Sequence, residues 1–344
     1  MIIRLQKIKE LFPEARPFRL RQMEKALFTE NFEKWEDVTT LSKPIREILE
    51  KDVPWTSCSQ KVLQASRNQE TFKAVLDLED KKSIETVLMQ NSKGFWTICV
   101  SCQIGCAMKC RFCSTGKMGF IRDLSSDEII DQYRYWKNFL KENSELSQHI
   151  SNIVYMGMGE PMANYENVKK SINTILEYTD IGPTHISVST VGILSKLEEL
   201  VEDDNWPPVR MAISLHSANS DTRKDLMPSS YDDFLEKLEE WCSKYLEKLG
   251  TRSHYITFEY LMLEGINDSP EDAQKLINFF NNIGHAKINI IPYNFTDDEF
   301  RCSSNERMNQ FMDILRENFV NVTRRRSMGD DIGAACGQLI TENE

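Results

Sequence analysis

Short β-rich runs that alternate with longer amphipathic stretches are the feature that most limits the fold of this 344-residue chain. Each gap between two runs is long enough to hold a helix, and strands that are joined through helices lie parallel. Six such runs predict an α/β barrel, and because a closed barrel of this kind needs eight strands, we expect a partial (β/α)6 barrel. The six runs cover residues 96–101, 150–156, 185–190, 209–216, 255–263 and 286–293.

The first part of the chain has a different pattern of apolar residues. Residues 1–80 carry little β-branched periodicity, and the stretch 18–28 places apolar residues at helical spacing. We therefore expect an N-terminal helical module over residues 1–80 and a catalytic core over residues 81–344, with the boundary near residues 80–95. Within the core, the sequence from Ser125 to Glu128 is a capping-box pattern and predicts the start of a helix.

Composition and charge exclude several classes of protein. No run approaches the roughly 18 apolar residues that a membrane helix needs, and the N-terminus lacks the apolar core of a signal peptide, so we expect a cytoplasmic protein without membrane association. A net charge of -11 argues against binding nucleic acid by bulk electrostatics, so any such site must be local. Nine cysteines without a signal peptide favour metal or thiol chemistry over a disulfide scaffold.

Three closely spaced cysteines, Cys106, Cys110 and Cys113, form a CxxxCxxC pattern in the loop that follows the first predicted strand. A [4Fe–4S] cluster is usually bound by four thiolates, so a triplet leaves one iron open for a ligand. This arrangement is typical of radical-SAM enzymes, in which the open iron chelates S-adenosylmethionine (SAM) and electron transfer breaks a carbon–sulfur bond. We predict that the three cysteines are cluster ligands.

A zinc site is the alternative for the same triplet, with Cys99 or Cys102 as the fourth ligand. Structural zinc sites usually pair two cysteine knuckles, or a cysteine pair and a histidine pair, across a longer gap. Here the triplet is isolated and follows a barrel strand, where active sites collect. Zinc would make the chain an RNA-binding protein without catalysis, which purifies colourless, whereas an iron–sulfur protein is brown.

Glycines and polar residues follow the other predicted strands. Gly157 and Gly159 allow a close backbone approach to a ligand, and Glu160 offers an anionic acceptor for the amino group of SAM. Hydroxyls at further strand ends could meet the ribose or the carboxylate of SAM, although such hydroxyls are often satisfied by nearby backbone. The further candidates are Ser189, Ser214, Leu215, His216 and Asn294.

A second cysteine motif lies near the C-terminus. Cys336 stands among the small residues 333–337, which permit close approach of a substrate, although an isolated cysteine is by default a small buried hydrophobe. We interpret Cys58, Cys242 and Cys302 as non-catalytic, and the role of Cys102 stays open.

Local basic stretches flank both cysteine motifs in this acidic chain, which favours contacts with a phosphate backbone and suggests RNA as the substrate. These basic residues are Lys109, Arg111, Lys117, Arg122, Arg324, Arg325 and Arg326.

From about residue 5 to residue 339, the chain resembles the radical-SAM RNA adenine carbon-2 methyltransferases, the RlmN type. The N-terminal residues 18–22 look like the helical RNA-recognition module of that family. The other motifs that carry the resemblance are residues 106–116, 156–161, 214–216 and 329–339.

The resemblance implies a mechanism that uses two SAM molecules per turnover. Cys336 takes a methyl group from the first SAM by nucleophilic displacement, and the second SAM supplies a radical that abstracts hydrogen from this methyl group. The carbon radical then adds to carbon 2 of an adenine, and Glu85 is placed at the position of the proton acceptor. Cys99 finally attacks Cys336, which releases the product and leaves a disulfide. SAM contacts are implied for Gly159, Glu160, Ser189, Ser214, Leu215, His216 and Asn294.

The implied substrates are an adenine of 23S ribosomal RNA, an adenine of tRNA, or both. An electron donor such as flavodoxin or ferredoxin and a monomeric enzyme are expected with them. The chain departs from the family pattern at Cys102, where Ser is usual, and at Phe295, where Pro is common. A carbon-8 adenine methyltransferase of the antibiotic-resistance (Cfr) branch is the close alternative, but Pro161 and residues 329–331 look more like the carbon-2 branch.

Overall fold

The computed structural model describes residues 4–28, 32–249, 255–284 and 286–341. Its helices are α1 (Arg4–Leu11), α2 (Pro17–Phe28), α3 (Lys43–Asp52), α4 (Ser114–Met118), α5 (Ser126–Glu142), α6 (Tyr165–Tyr178), α7 (Leu194–Glu202), α8 (Ser220–Leu226), α9 (Phe234–Leu249), α10 (Pro270–Ile283) and α11 (Asn305–Glu317). Among these described helices, none is both long enough and apolar enough to cross a bilayer.

The strands are β1 (Cys58–Ala65), β2 (Thr71–Leu78), β3 (Ser83–Gln90), β4 (Trp96–Cys99), β5 (Gln103–Gly105), β6 (Phe120–Asp123), β7 (Ile150–Tyr155), β8 (Ile186–Thr190), β9 (Arg210–Ser214), β10 (Ile256–Met262), β11 (Ala286–Pro292) and β12 (Asn321–Arg324). Short 3-10 helices lie at Trp35–Asp37, Pro183–His185 and Asp330–Ile332.

Within the described residues, the main sheet has ten strands in the order β1-β2-β3-β4-β7-β8-β9-β10-β11-β12. From β4 to β12 the neighbours pair in parallel, and helices α5 to α11 lie in the connections between them. The prediction of six alternating strands is confirmed, since β4, β7, β8, β9, β10 and β11 fall inside the six predicted runs. Because the carboxyl ends of parallel strands share one edge, the loops that follow these strands meet there.

The helical prediction for residues 1–80 is wrong beyond residue 52. Strands β1 to β3 form an antiparallel extension that adds to the edge of β4. β1 is a mostly exposed edge strand rich in polar side chains, and β3 is buried on both faces without a polar alternation. β2 does alternate polar and apolar residues from Thr71 to Leu78, with Val75 as the exception, so its period of two is a strand signal that the helical prediction overlooks.

The helices α1 to α3 have a hydrophobic core of their own, which includes Met23, Trp35 and Val53 and reaches Ile130 on α5. The main core begins at Phe72 and runs through the sheet and its helices. The boundary that we predict near residue 80 therefore falls between two strands of the same sheet. The helical module ends near residue 53 instead.

Helix α5 starts where the sequence predicts. The Ser125 hydroxyl accepts a hydrogen bond from the Glu128 backbone N–H, and the Glu128 side chain accepts one from the Ser125 N–H at 2.8 Å, which is the predicted capping box. The same helix anchors the N-terminal module, because the buried Arg4 guanidinium pairs with Asp127 and Asp131 at 3.1 and 2.9 Å.

Candidate active site

The cysteine triplet lies between the short hairpin of β5 and β6 and helix α4. Gly105 starts the loop with a φ of 73°, and a Cβ at this position would lie 1.7 Å from the Gly119 carbonyl oxygen, so no other residue fits without moving the hairpin. The loop ends at Cys113, the N-cap residue of α4. The backbone thus brings the three thiols to the wall of one cavity, which Cys106, Cys110 and Cys113 all line.

The environment of the three thiols fits a multi-iron cluster. Burial is the main reason that the pKa of Cys106 rises to about 12, and burial likewise raises the pKa of Cys110 and Cys113. Thiolates in such a place need a bound cation to stay deprotonated. Among the described residues, no three Cys, His, Asp or Glu side chains converge as ligands of a single ion. A cluster with four irons does not require this convergence, because each thiolate binds a different iron.

The glycine loop after β7 packs against the chain between β4 and β5. A Cβ at Gly157 would lie 2.7 Å from the Val100 carbonyl oxygen, and a Cβ at Gly159, whose φ is 102°, would lie 2.5 Å from Gln103. The two glycines are therefore required by the protein's own packing. With them in place, the loop lines the same cavity as the cysteine triplet.

Glu160 organises this loop with its carboxylate. It accepts hydrogen bonds from the Met162 N–H at 2.9 Å and from the Val191 N–H at 2.8 Å, and it is 3% exposed at the cavity wall. Burial raises its pKa to about 6. A carboxylate offers about four acceptor sites, so Glu160 can still receive a hydrogen bond from the amino group of a ligand.

The ends of β8 and β9 bring Ser189, Ser214 and His216 to the same cavity. The His216 Nδ1 accepts a hydrogen bond from the Leu261 N–H at 3.0 Å, and burial lowers the pKa of the ring to about 3. His216 is therefore neutral and presents its Nε2–H as a donor. Leu215 points into the main core instead, and it is not among the described residues that line the cavity.

Cys99 and Cys336 both line a second cavity. Cys99 ends β4 and is buried, whereas Cys336 is exposed, and both are free thiols. The pKa of Cys99 is raised to about 12, mainly because the thiol is buried and to a smaller extent because Cys336 lies nearby. Asn294 lines this cavity as well, and its side-chain amide donates to the Cys336 carbonyl at 3.0 Å. The structure thus brings the two predicted reactive thiols together with Asn294.

The two cavities meet at Cys336. Both are open to solvent, and their space including the open mouths is about 890 and 1360 Å³. The residues common to both walls are Cys113, Met156, Gly157, Ile291, Arg325, Cys336 and Gly337. Cys336 can therefore contact a ligand on either side.

Arg325 is predicted from the sequence only as one of several basic residues, and its contact with Glu259 is not predicted. It follows β12, a strand too short to be predicted, and its guanidinium lies 3.6 Å from the Glu259 carboxylate and 3.3 Å from the Met156 sulfur. The neighbouring Cys336, and then Glu259 and Cys99, raise the pKa of Arg325. A charged residue inside the apolar run of β10, at Glu259, is the signal that could have identified this pair.

The other predicted basic residues are largely engaged with acidic side chains. Arg111 pairs with Glu299 and Asp225, Lys117 with Asp297, and Arg122 with Asp80 and Glu128. Arg326 is exposed on the wall of the second cavity and pairs with Glu70 at 3.0 Å. These pairs reduce the positive charge around the cysteine triplet.

Glu85 and Cys102 are the candidates that the structure keeps away from the cavities. The Glu85 carboxylate is buried, lies 2.9 Å from the Lys73 Nζ and accepts a hydrogen bond from the Ile340 N–H at 2.8 Å. Cys102 is buried in the main core. Among the described residues that line the two cavities, neither of them is found.

Comparison with known proteins places these features in a family. Residues 100–279 match the Radical SAM superfamily. The ribosomal RNA large subunit methyltransferase N of Nitrosopumilus maritimus is 39% identical over 316 residues, which cover 89% of this chain and 87% of that protein. The dual-specificity RNA methyltransferase RlmN of Syntrophobacter fumaroxidans is 38% identical over 331 residues, with 95% and 93% covered.

A solved structure supports the same relationship. The radical SAM methyltransferase from Sphaerobacter thermophilus superposes with a TM-score of 0.88 at 33% sequence identity, and the match covers 97% of both chains. The similarity therefore extends beyond the barrel to most of the rest of the chain.

Proposed function

The chain belongs to the radical SAM superfamily and, within it, to the RlmN methyltransferases, and from this membership we propose that it methylates carbon 2 of an adenine in 23S rRNA, in tRNA or in both. The observation that carries the proposal is that Cys336 lines two adjoining cavities, one with the cysteine triplet and one with Cys99. Both relatives are named as RNA methyltransferases of the RlmN type, which favours carbon 2 over carbon 8 and over a non-catalytic zinc protein.

The superfamily implies a [4Fe–4S] cluster and SAM. Cys106, Cys110 and Cys113 would hold the cluster, which supplies the electron that cleaves SAM. Glu160 accepts from the amino group of SAM, and Ser189, Ser214 and the neutral His216 meet its polar groups along the first cavity. Leu215 directly precedes His216 but packs into the main core. Asn294 lines the second cavity and donates a hydrogen bond to the Cys336 carbonyl. Both remain proposed SAM contacts.

Cys336 carries the methyl group in this proposal. Its sulfur bonds to the methyl carbon of a first SAM as the methyl–sulfonium bond breaks, and the thiol proton leaves to solvent. A second SAM provides the radical that activates this methyl group for addition to the adenine. Cys99 then loses its thiol proton and attacks the Cys336 sulfur, so that the carbon–sulfur bond breaks and a Cys99–Cys336 disulfide forms. The released carbon takes up one proton to become the methyl group, and the unpaired electron of the adduct passes to a one-electron acceptor such as the oxidised electron-transfer partner. A reductant must return both thiols before the next turnover.

Glu85 keeps its predicted role as the acceptor of the carbon-2 proton. For this step its carboxylate must leave the ion pair with Lys73 and reach the adenine. We further propose that the N-terminal helices contact the RNA, that a flavodoxin or ferredoxin donates electrons, and that the enzyme is a cytoplasmic monomer.

Replacement of the two thiols tests the assigned roles. Cys336→Ala is expected to abolish RNA methylation and leave SAM cleavage intact, because the cluster ligands are untouched. Cys99→Ala is expected to accumulate a covalent protein–RNA adduct, which gel electrophoresis under denaturing conditions detects. Cys302→Ala, at an exposed thiol away from the cavities, is the matched control. Normal turnover in either Cys336→Ala or Cys99→Ala contradicts the proposal.

A further inference from the structure

The segment 329–341, which carries Cys336, has little regular structure of its own. It contains one 3-10 turn, Asp330–Ile332, and otherwise runs as loop across the barrel. Its position therefore depends on hydrogen bonds to other parts of the chain. Ser114 N–H donates to the Gly337 carbonyl at 2.8 Å, and the Thr115 hydroxyl donates to the Leu339 carbonyl at 2.6 Å, so the first turn of α4, directly after the cysteine loop, holds one side.

The antiparallel extension holds the other side through a buried ion pair and two further hydrogen bonds, from the Arg67 N–H to the Asp331 carboxylate at 2.9 Å and from the Thr341 hydroxyl to the Ser83 carbonyl at 3.1 Å. Lys73 on β2 and Glu85 on β3 lie on adjacent strands, and their Nζ and Oε1 atoms are 2.9 Å apart. The Lys73 Nζ also donates to the Gly333 carbonyl at 3.2 Å. The second Glu85 oxygen, Oε2, accepts from the Ile340 N–H at 2.8 Å. The pair thus holds the backbone on both sides of Cys336.

We propose that Lys73 and Glu85 are positioning residues that clamp the segment 329–341 and thereby fix Cys336 between the two cavities. The inference rests on the proposed function only in treating Cys336 as the methyl carrier. It gives Glu85 a role that is separate from proton transfer, and it gives Lys73 a role where sequence analysis assigns none.

The hydrogen bonds of the pair distinguish a clamp from a link that merely joins two strands. A buried ion pair loses solvation for both charges, and it is stable only where other hydrogen bonds satisfy the remaining donors and acceptors. Here those bonds go to Gly333 and Ile340 of the segment 329–341, which we call the carrier segment because it contains Cys336. Because a sub-ångström displacement of a reacting group can reduce a rate strongly, a fixed Cys336 sulfur benefits both methyl transfers.

Hydrogen–deuterium exchange of the full-length protein tests the clamp without any need for activity. In Lys73→Met and in Glu85→Met, the amides of residues 333–341 are expected to exchange at least about tenfold faster, as the loss of a charge-assisted hydrogen bond implies. The double variant Lys73→Met/Glu85→Met leaves no unpaired buried charge and should show the same increase in a folded protein. Lys61→Met, which breaks the more exposed pair with Asp77 at 3.5 Å, is the matched control.

The rate of methyl transfer from SAM to Cys336 in the absence of RNA separates the clamp from proton transfer. A clamp predicts a single-turnover rate constant for Cys336 methylation at saturating SAM that is at least about tenfold lower in Lys73→Met, an unchanged SAM concentration for the half-maximal rate, and recovery in Lys73→Arg. If Glu85 acts only as a proton acceptor, Lys73→Met exchanges and methylates like the native protein, and the inference is wrong. If the native enzyme methylates no thiol, the proposed function fails, while the exchange data still decide on the clamp.

Discussion

At the scale of single residues, burial sets the charge of the groups around the first cavity. His216 is neutral because burial lowers its pKa to about 3, while burial raises the pKa of Glu160 to about 6. Glu160 is therefore the group whose charge changes just below neutral pH. Its carboxylate form accepts hydrogen bonds, whereas the protonated form loses much of that capacity.

SAM affinity should therefore depend on pH through Glu160. Above about pH 6 the carboxylate is ionised and binds the amino group of SAM, and below that pH the affinity is expected to fall. Glu160→Gln should weaken SAM binding by about 10- to 100-fold at pH 7.5, since it removes a charge-assisted hydrogen bond, and it should remove the loss of affinity between pH 7 and pH 5. Anaerobic equilibrium binding to the cluster-loaded enzyme measures both effects.

Glu166→Gln is the control, because Glu166 lies on α6 with an exposed side chain. It should bind SAM with the affinity and the pH dependence of the native enzyme. A native affinity that stays constant from pH 7 to pH 5, or a Glu160→Gln variant with native affinity, would show that Glu160 does not bind the amino group.

The residues that sequence analysis identifies share one property, which is local spacing. Cys106, Cys110 and Cys113 lie within eight positions of one another, and Gly157 to Glu160 form one short loop. Arg325 and Lys73 have no such pattern. Arg325 gains its partner Glu259 only when β10, β11 and β12 become neighbours in the sheet, whereas Lys73 meets Glu85 across the hairpin of β2 and β3. The signal in the sequence for the Arg325–Glu259 pair is the charged Glu259 inside the largely apolar strand β10.

At the scale of elements, the hairpin of β5 and β6 determines whether the cysteine triplet can form its loop. Gly105→Ala should prevent the loop from closing, because the new Cβ would overlap the Gly119 carbonyl. We expect a large loss of iron and sulfide per protein after anaerobic reconstitution, measured chemically and by the brown absorbance of the cluster. Overlap with backbone cannot be relieved by a side-chain rotation.

Gly265→Ala separates this overlap from backbone strain. Gly265 has a φ of 70°, close to the 73° of Gly105, but a Cβ there would have open space. In both variants the left-handed backbone conformation of the new alanine costs about 1–2 kcal/mol of folding free energy. Only in Gly105→Ala does the new Cβ also overlap the Gly119 carbonyl oxygen. Equal cluster content in the two variants would mean that the hairpin does not control the cluster loop.

Helix α5 holds the N-terminal helices through the buried charges of Arg4, Asp127 and Asp131. Arg4→Met should destabilise the N-terminal helices by about 3–5 kcal/mol, because it leaves buried carboxylates without their partner. Denaturant-dependent hydrogen exchange of α1 to α3 measures this change. RNA binding should weaken with it, while SAM binding persists. Lys43→Met, which breaks the exposed pair with Glu47 at 3.9 Å, should change stability by less than about 1 kcal/mol.

The same cluster of charges predicts an acid sensitivity. Burial alone would raise the pKa of Asp131, but Arg4 and Arg134 outweigh it and lower the pKa from 3.8 to about 2. A depressed pKa contributes stability above the unfolded value of 3.8 and loses that contribution as the pH falls towards 2. In Arg4→Met, the free energy of unfolding should decrease less between pH 4 and pH 2 than it does in the native protein. An identical pH dependence would contradict this role of Arg4.

The strands that sequence analysis finds are apolar runs separated by amphipathic helices, and all six lie where predicted. The missed elements are those whose burial comes from unusual neighbours. β3 is buried on both faces, so its pattern resembles no half-buried strand, and β12 has only four residues. β2 alternates polar and apolar residues, so the sequence does contain a signal for this strand. The predicted boundary near residue 80 is wrong because it depends on reading β1 and β2 as helix.

At the scale of the whole molecule, the sheet has the cysteine triplet at one part of its carboxyl edge and the carrier segment at another. The antiparallel extension and the first turn of α4 hold that segment from two sides, so that Cys336 lies where the two cavities join. Parallel strands, helices or cysteines alone do not specify this arrangement. It arises from contacts between residues more than 200 positions apart.

The proposed transfer of a methyl group from Cys336 to carbon 2 of an adenine can be measured in one reaction. The cluster-loaded enzyme is incubated anaerobically with SAM, a reductant and total RNA, and the nucleosides are then analysed by mass spectrometry and the modified positions mapped. We expect 2-methyladenosine in 23S rRNA, tRNA or both, with the Cys336→Ala variant as the negative control. Formation of 8-methyladenosine as the sole product, or of 2-methyladenosine by Cys336→Ala, would contradict the proposed transfer.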